Sequence, residues 1–436
     1  MENTNNGTPR RPNPRRRRRS RIQRIIRAYF PVAVVLVLVV LFIIFATNSV
    51  KRANEKREQE RLESIALEES KAKVQQELEE EAKALVKEAD KFAASCEFDK
   101  ALAHLDTFTG NPEEFDVIQE AKERYENGES HLVPVADISQ VKCLSFSELL
   151  LSSSVFTGAK DDGNRLLYIT VDEFNRILQQ LYENDYMLVD LYDLFTTGQN
   201  EDGSVKIQPN DLRLPQGKKP IMLVNTQAAG YARKLVLTED GSFASEYTDG
   251  DKQLTGSVDF VPLLEDFIRS NPGFSYKGSR AMLALTGHKG LFGYDISETA
   301  EITRIAQALT ERGYILSCNT FGNLAYGYSK LAEIQEDVSN WNISAVPLIG
   351  QTEVLVYARG SDIYDGKDSY FGSKYEALFD AGFHYYLGIC YNSNPWMDIT
   401  GNTIRLGRIL VIGENLTQKT AFFEGLFDAS KVVETK

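Results

Sequence analysis

The stretch KPIMLVNTQAAGY, residues 219–231, combines a short apolar run with a loop of small and polar residues. The run 221–224 has the length and composition of a strand that is buried in a sheet. The loop that follows it ends in Gly230 and Tyr231. Functional groups in proteins built from parallel strands follow the carboxyl ends of those strands. This loop is therefore a candidate for part of a functional site.

The apolar run belongs to a series of predicted strands that alternate with helical patterns between residues 132 and 436. The other predicted strands are 187–191, 281–286, 314–317, 354–357, 385–389 and 408–412, and the helical patterns are 170–183, 261–270, 296–312, 329–341 and 374–381. Thr170 and Glu173 open the first helical pattern with the spacing of a capping box. The alternation predicts a parallel sheet. About seven strands favour an α/β fold of the (β/α) barrel type, with an open doubly wound sheet as the alternative.

The N-terminus is strongly basic and is followed by a long apolar stretch. Residues 1–50 contain ten arginines and one acidic residue, and residues 28–50 carry no charge. That stretch is long enough to cross the roughly 30 Å hydrocarbon core of a bilayer as a helix. A cleaved signal peptide and a buried core helix are the alternatives. Because basic residues stay on the cytoplasmic side, we expect a cytoplasmic tail at 1–28, a single-pass signal-anchor helix at 29–50 of the cell membrane, and an extracytoplasmic remainder.

The rest of the chain is acidic and poor in cysteine. Residues 51–436 hold 39 basic and 61 acidic residues, a balance that repels phosphate backbones and argues against nucleic acid as a partner. The four cysteines are widely spaced and form no CxxC pair, so no structural zinc site is expected. Free buried thiols are favoured, with one disulfide bridge left open. These cysteines are Cys96, Cys143, Cys318 and Cys390.

Residues 51–135 are predicted to form a helical stalk and a collar made of a helical pair. Residues 51–89 contain neither glycine nor proline and are rich in Glu, Lys and Ala, which favours helix. A narrow apolar seam indicates either a single exposed stalk or a short coiled coil that would make the protein a dimer. Gly110 and Pro112 separate the two helices of the collar. The seam consists of Leu78, Ala82, Leu85, Ala89 and Phe92.

Three segments of the predicted barrel resemble motifs of the polysaccharide deacetylase (NodB-homology) family. The stretch 219–231 resembles the first motif, which ends approximately T-F-D-D-G-Y. Residues 319–323, NTFGN, resemble the second, S-H-S/T-x-x-H, and residues 356–360, VYARG, resemble the third, R-x-P-Y-G, with Ala358 in place of proline. The family's later leucine-x-histidine pattern is missing where residues 407–411 would supply it. The order of these elements implies a deacetylase-like (β/α) barrel over residues 136–436.

The resemblance also implies a metal site whose ligands this chain replaces. In the family, one aspartate and two histidines hold a divalent metal such as zinc, which activates water, and a second aspartate acts as base. This sequence has Thr226 and Gln227 in place of the two aspartates, and Asn319 and Asn323 in place of the two histidines. None of these side chains ionises near neutral pH, and neutral amides are poor zinc ligands. We therefore expect no catalytic residue, no metal and no cofactor.

Neutral amides can still bind a sugar, because an amide donates and accepts hydrogen bonds at once. Candidate ligand-binding residues therefore come from the motif loops, the strand ends and the aromatic side chains. They are Asn319, Asn323, Tyr231, His288, Arg359, Trp396 and Arg408. Tyr385 and Tyr386 are further rings that could stack on a sugar. A relocated metal or nucleophilic site built from His288, His384 and Cys390 is the alternative.

Together these observations predict a membrane-anchored, extracytoplasmic protein of a bacterial envelope that resembles a polysaccharide deacetylase and is non-catalytic. Its partner is expected to be a cell-envelope polysaccharide or an envelope protein, bound in the cleft that corresponds to the family's active site. An active carbohydrate deacetylase, which would hydrolyse acetamido sugars with an atypical site, is the first alternative. The second alternative is an envelope scaffold that acts through the helical stalk. The fold alone does not distinguish between these three functions.

Overall fold

The computed structural model describes residues 14–151, 165–230, 232–249, 251–364 and 370–433. The chain forms two units, Met1–Glu81 and Ala82–Lys436. Helix α1, Pro14–Ala94, begins in the first unit and ends in the second. Among the described residues, its segment Arg27–Ala94 is the one candidate membrane span, with an 18-residue window of mean hydropathy 3.1 that is not buried by protein. An apolar helix of this length can cross a bilayer.

The second unit is built on a closed ring of seven parallel strands. The strands are β1 Lys142–Phe146, β2 Lys219–Asn225, β3 Met282–Leu285, β4 Ile315–Cys318, β5 Val354–Val356, β6 Tyr385–Ile389 and β7 Ile404–Leu410. Each strand pairs with the next one along the chain. Strand β7 closes the ring by pairing with β1. The predicted (β/α) barrel is therefore confirmed, and the open sheet is excluded because the ring has no free edge.

Among the described residues, five helices of eight or more residues connect the strands of the ring, and two others form the collar. The collar helices are α2 Phe98–Leu105 and α3 Asp116–Glu126, and the connecting helices are α4 Val171–Glu183, α5 Phe260–Ser270, α6 Thr299–Glu311, α7 Leu331–Ser344 and α8 Ser373–Asp380. Short helices lie at Leu191–Leu194, Val346–Ile349, Gly413–Gln418 and Ala429–Val432. The predicted capping box opens α4: Glu173 N donates to Thr170 Oγ1 at 3.1 Å, and Thr170 N donates to a Glu173 carboxylate oxygen at 3.0 Å. These bonds satisfy N–H groups that a helix leaves free.

Shorter strands surround the ring. Antiparallel pairs are Leu132–Pro134 with Arg213–Pro215 and Phe195–Gln199 with Val205–Pro209, and a three-stranded ribbon consists of Lys234–Leu237, Phe243–Asp249 and Lys252–Gly256. Leu149–Leu150 pairs in parallel with Ile169–Thr170, Tyr186–Leu188 pairs in parallel with β2, and Met397–Ile399 pairs antiparallel with β7. Single 3₁₀ turns lie at Pro112–Glu114, Gly128–His131, Ile138–Gln140, Pro272–Phe274, Ala358–Gly360 and Thr420–Phe423.

Alternation along the strands sorts side chains between the barrel interior and the layer of helices. Two buried clusters result, one of which continues from the ring to the segments at its amino ends. Burying one Val, Leu or Met side chain contributes roughly 1.5–3 kcal/mol to the stability of the fold. All four cysteines are buried and free. Interior positions include Met222, Val224, Met282, Ala284, Val354, Val356, Leu387 and Leu406.

The observed strands differ from the predicted strands in three places. Strand β1 is absent from the sequence-based prediction. The predicted strand 187–191 is instead found as Tyr186–Leu188, which pairs with the first half of β2 outside the ring, while β3 pairs with the second half. The last predicted strand, 408–412, begins four residues too late, because Arg405 in the first half of β7 does not look like a residue of a buried strand.

The collar packs against the last turns of α1. Ala82 and Ala89 are 0% exposed and Val86 is buried as well. Asp90 accepts hydrogen bonds from the Tyr125 hydroxyl at 2.6 Å and from the Arg124 guanidinium at 3.1 Å. The end of the predicted seam is therefore buried within one chain. A dimer through the stalk, which stays a prediction, would have to use residues 51–77, all of which are exposed.

The connection from β6 to β7, residues 390–403, contains a strand and no helix. On the outer face of the ring, Gly388 of β6 stands opposite Gly407 of β7. A Cβ atom at either glycine would meet the ring of Trp396. Glycine in a strand marks a site where another group approaches closely. The Trp396 indole therefore covers a part of the wall that helices cover elsewhere in the ring.

Candidate functional site

The carboxyl ends of β2, β3 and β4 place the motif residues at one side of the barrel mouth. Thr226 Oγ1 donates to the Phe146 carbonyl at 3.3 Å, and Asn319 Nδ2 donates to Thr286 Oγ1 at 3.4 Å. Gln227 is exposed. The Asn319 oxygen Oδ1 is buried and has no hydrogen-bond partner among the described residues. An unmade hydrogen bond of a buried group costs about 1–3 kcal/mol, so Asn319 offers an acceptor that a bound hydroxyl could satisfy.

Asp337 of α7 fixes the loop that follows β4. Its two carboxylate oxygens accept the backbone N–H groups of Phe321 and Gly322, each at 2.7 Å. One of these oxygens also accepts the hydroxyl of Tyr326 at 2.8 Å. Hydrogen bonds to an ionised carboxylate are stronger than bonds between neutral groups. The loop that carries Asn319 is thus anchored from outside the barrel.

His288 joins the loops after β3 and β4. Its backbone N and its Nδ1 both donate to the Phe321 carbonyl, at 2.9 Å and 3.1 Å. The imidazole is exposed, and Asn323 on the neighbouring loop is half-buried with a left-handed φ of 55°. His288 therefore has a positioning contact between two loops of the mouth.

The side chains at the four motif positions do not fit a divalent metal. Thr226, Gln227, Asn319 and Asn323 supply hydroxyl and amide groups, whereas zinc is held by thiolate, imidazole and carboxylate groups. Within the described ranges, no three His, Cys, Asp or Glu side chains are grouped so as to hold a metal ion. This side of the mouth therefore offers hydrogen-bonding groups rather than metal ligands.

Arg408 lies within the barrel and braces its wall. Its side chain is 3% exposed, and its two terminal nitrogens donate to Ser145 Oγ and to the Tyr357 carbonyl, both at 2.8 Å. The Nε atom is buried without a partner among the described residues. Burial lowers the pKa of the Arg408 guanidinium to about 10, because a low dielectric disfavours the charged form. The side chain joins β7 to β1 and to the end of β5 and is closed to a ligand in this structure.

A cavity of 530 Å³ lies on the outer flank of β6 and β7. It is bounded by the segment after β5 and by the connection between β6 and β7, so we call it the flank cavity. None of the four motif positions lines it among the described residues. The cavity therefore lies beside the predicted cleft. The residues that line it include Tyr328, Asp362, Tyr364, Tyr391, Trp396 and Arg405.

Arg405 is the polar centre of the flank cavity. Its terminal nitrogens pair with Asp362 at 2.9 Å and with Asp398 at 3.0 Å, and the residue is 7% exposed. The guanidinium carbon lies 4.5 Å from the ring centroid of Tyr364 and 5.3 Å from that of Trp396. Cation–π contacts and ion pairs together fix the side chain. Each carboxylate keeps acceptor sites, because it has about four lone-pair positions.

Exposed tyrosine rings complete the flank cavity. Tyr328 is 93% exposed and Tyr391 is 81% exposed, although the Tyr391 hydroxyl donates to the Gly360 carbonyl at 3.3 Å. Aromatic rings give a large apolar contact area next to a polar group. Rings beside fixed carboxylates suit a ligand that has apolar C–H faces and many hydroxyls, which is the chemistry of a sugar.

The predicted ligand-binding residues do not form one site. Trp396 lines the flank cavity. Arg359 is exposed, with a left-handed φ of 56°, immediately before Gly360 of the cavity wall. Asn319, Asn323 and His288 lie together at the β3 and β4 side of the mouth, and Arg408 lies inside the barrel. Tyr231 is outside the described residues.

The alternative site built from His288, His384 and Cys390 is not brought together. His384 precedes β6 and Cys390 follows it, so the length of a five-residue strand, about 16 Å, separates them. His288 follows β3, which is not a neighbour of β6 in the ring. Tyr385 and Tyr386 are 0% and 1% exposed, so both rings belong to the core and neither is open to a sugar.

Sequence reasoning did not single out most of the flank cavity. Asp362, Tyr364, Tyr391, Asp398 and Arg405 come from three separate segments, which only the folded chain places together. The available signal was the density of aromatic and acidic residues after two neighbouring strands. Those segments read SDIY at 361–364 and CYNSNPWMD at 390–398.

Comparisons with known proteins return deacetylases among solved structures. No protein-family model and no curated protein sequence matches this chain. A Streptococcus pyogenes deacetylase in complex with acetate is 10% identical, with a TM-score of 0.35 over 66% of this chain and 98% of that one. A Bacillus cereus polysaccharide deacetylase is 10% identical, with a TM-score of 0.39 over 66% and 68%. An Aggregatibacter actinomycetemcomitans de-N-acetylase is 10% identical, with a TM-score of 0.39 over 65% and 99%. Similarity at this level carries no argument about activity.

Proposed function

We propose that this chain is a membrane-anchored, extracytoplasmic, polysaccharide-deacetylase-like protein of the bacterial envelope that binds an envelope glycan without cleaving it. The apolar helix with arginines before it supports anchoring with the N-terminus inside. The order of the motif segments along the chain supports the likeness to the deacetylases. The glycan-binding part rests on the flank cavity.

The chemistry of the flank cavity is the observation that carries this proposal. Arg405 holds Asp362 and Asp398 in fixed positions, and the Trp396 and Tyr364 rings lie against the same guanidinium. Such groups can accept hydroxyl hydrogen bonds while a ring contacts the C–H face of a sugar. A cavity of 530 Å³ lies within the size range of small-ligand sites.

The side chains at the motif positions support a non-catalytic role. Hydrolysis of an acetamide requires an activated water and a group that receives its proton. Thr226, Gln227, Asn319 and Asn323 supply neither a carboxylate nor an imidazole. Binding of a sugar through amide and hydroxyl groups requires neither a carboxylate nor an imidazole.

Cosedimentation with insoluble cell-wall polysaccharide tests binding by the full-length protein in detergent. We expect the unmodified protein to sediment with the polysaccharide and Trp396→Ala to weaken the apparent affinity by about tenfold, since an aromatic anchor contributes over 1 kcal/mol. Asp362→Asn should also weaken binding. Asp266→Asn, which changes a side chain on α5 that is 44% exposed, is the matched control. Equal sedimentation of all four proteins, or of none, contradicts the proposal.

Metal analysis and acetate release test the non-catalytic part separately. We expect purified protein to hold far less than one divalent metal ion per chain and to release no acetate from N-acetylated amino-sugar polymers. Stoichiometric metal together with acetate release would establish the active deacetylase instead, whatever the sedimentation result.

A further inference from the structure

A second cavity lies at the amino ends of β5 and β6, away from the motif loops. Its volume is 740 Å³, and we call it the amino-end cavity. Glu353 immediately precedes β5, and His384 immediately precedes β6. Thr197 reaches the same cavity from the strand Phe195–Gln199. The proposed glycan-binding function uses none of these residues.

The charged groups of the amino-end cavity are acidic. Glu353 and Asp380 line it, and none of its described lining residues is a lysine or an arginine. The Thr197 hydroxyl donates to Glu353 Oε2 at 2.8 Å and is itself 2.8 Å from the Tyr385 hydroxyl. These bonds orient the Glu353 carboxylate and leave its other oxygen free to accept. The cavity therefore presents a fixed negative charge.

His384 supplies an independent sign of a missing partner. The residue is 8% exposed and lines the cavity, yet its Nδ1 atom is buried without a hydrogen-bond partner among the described residues. Burial lowers the pKa of the imidazole, so the ring is neutral at pH 7 and one of its nitrogens carries a lone pair. An unmade hydrogen bond of this kind costs about 1–3 kcal/mol. A ligand in the cavity would lie next to this neutral ring.

An aromatic face stands next to these acceptors. The Tyr192 ring lines the cavity, is 43% exposed and packs edge-on against Tyr385 at 6.0 Å. Burial and the charge of Glu353 raise the pKa of the Tyr192 hydroxyl, so the ring stays neutral. A neutral tyrosine ring attracts a cation to its face.

We propose that the amino-end cavity binds a primary ammonium group of a small ligand. Glu353 is the counter-ion, the Tyr192 ring is the cation–π face, and the neutral His384 imidazole lines the cavity beside them. An ammonium is a compact charge with three donors and so suits acceptors on separate strands better than the planar fork of a guanidinium. An amino sugar and a lysine side chain both carry this group. The inference does not depend on glycan binding at the flank cavity.

Isothermal titration of the full-length protein in detergent, with two ammonium probes and their neutral counterparts, tests the inference. The probes are glucosamine and Nα-acetyl-lysine amide, and the counterparts are N-acetylglucosamine and the Nα,Nε-diacetylated lysine amide. We expect at least one ammonium probe to bind and its acetylated counterpart to bind at least tenfold more weakly. Whichever ammonium probe binds more tightly identifies the source of the group.

Charge-neutralising variants locate the binding. Glu353→Gln keeps an acceptor for Thr197 and should weaken the ammonium probe by about tenfold or more, since a hydrogen bond to a charged group contributes about 1.5–3 kcal/mol. Glu239→Gln removes one charge from an exposed turn and should bind as the unmodified protein does. Thr197→Val should weaken binding only indirectly, because it removes the hydrogen bond that orients the Glu353 carboxylate.

The test of the amino-end cavity is independent of the test of the flank cavity. Trp396→Ala should leave ammonium binding unchanged, just as Glu353→Gln should leave cosedimentation with wall polysaccharide unchanged. No binding of either ammonium probe, equal binding of an acetylated probe, or equal binding by Glu353→Gln overturns the inference.

Discussion

The Nη1 atom of Arg408 donates to Ser145 Oγ at 2.8 Å and so ties the last strand of the barrel to the first. The same guanidinium reaches the Tyr357 carbonyl at the end of β5. No salt bridge of Arg408 is found among the described residues. A buried cation held by neutral groups costs desolvation that hydrogen bonds must offset.

Two substitutions of Arg408 separate the contribution of its volume to the free energy of unfolding from the contribution of its charge. We expect Arg408→Ala to lower the free energy of unfolding by about 2–4 kcal/mol, because it leaves a cavity within the barrel. Arg408→Met fills most of that volume and removes a buried charge, so its cost should be below about 1.5 kcal/mol. Urea denaturation followed by tryptophan fluorescence measures both. If the methionine variant is as unstable as the alanine variant, the hydrogen bonds and not the packing dominate.

Gly407→Ala tests whether one indole covers the wall at β6 and β7. The added methyl group would overlap the Trp396 ring and the Cys390 sulfur, so we expect a displaced, more solvent-exposed tryptophan and an overpacking cost of about 1–3 kcal/mol. The measurements are the emission maximum and the melting temperature. On the proposed function, wall-polysaccharide binding should fall as well. Gly401→Ala lies in the same connection with no atom within 4 Å and should change neither; an unshifted emission in Gly407→Ala contradicts the packing described here.

The environment of the Asp193 carboxyl group predicts that the stability of the folded protein depends on pH. Asp190 and Asp193 cap the helix Leu191–Leu194 reciprocally, with two backbone hydrogen bonds of 2.8 Å. Burial first, and then the charge of Asp190, raise the pKa of Asp193 from 3.8 to about 6. Because the folded state holds this proton more tightly than the unfolded state, the contribution is present below about pH 4 and is lost as the pH rises to about 6.

Asp193→Asn should therefore imitate the protonated carboxyl at every pH. We expect the variant to melt at a higher temperature than the unmodified protein at pH 7.5 and at the same temperature near pH 4. Asp202→Asn, which changes an exposed carboxylate with a lowered pKa, is the control; because that shift has the opposite sign, this variant should not melt at a higher temperature than the unmodified protein at pH 7.5. If the melting temperatures of the Asp193 variant and the unmodified protein differ by the same amount at every pH, the raised pKa of Asp193 is refuted.

Ala89→Glu tests the packing of the collar on α1. Ala89 is 0% exposed, and an unpaired buried carboxylate is strongly unfavourable, so the collar should separate from the helix. Ala84→Glu places the same side chain at an exposed position of the same helix and should be neutral within about 0.5 kcal/mol. Hydrogen exchange of residues 95–131 measures the effect. Unchanged protection in Ala89→Glu would mean that the collar is stable without α1.

Strong local patterns were predictable from the sequence, whereas tertiary proximity was not. The capping box of Thr170 and Glu173 is a local interaction, and the sequence predicts it correctly. Strand β7 was displaced in the prediction, because Arg405 lines the flank cavity, an environment that cannot be read from hydropathy. The pairing of Arg405 with Asp362, 43 residues away, depends on the ring being closed.

The sequence predicted that the motif loops follow strands, but the contacts of these loops required the structure. Asn319 and His288 lie at neighbouring strand ends, as the alternation of strands and helices implies. Nothing in the sequence reveals that Asp337 anchors the loop after β4. The flank cavity depends on a connection without a helix at residues 390–403, which the expected repeat of strand and helix does not include.

That connection runs back along the wall as a strand, so at Gly388 and Gly407 the flank of β6 and β7 is covered by the Trp396 indole rather than by a packed helix. Insertions or exchanges between residues 390 and 403 could therefore remodel the pocket while the register of the seven strands stays intact. On the proposed function, ligand preference in descendants of this chain is thus free to diverge faster than the architecture that supports it.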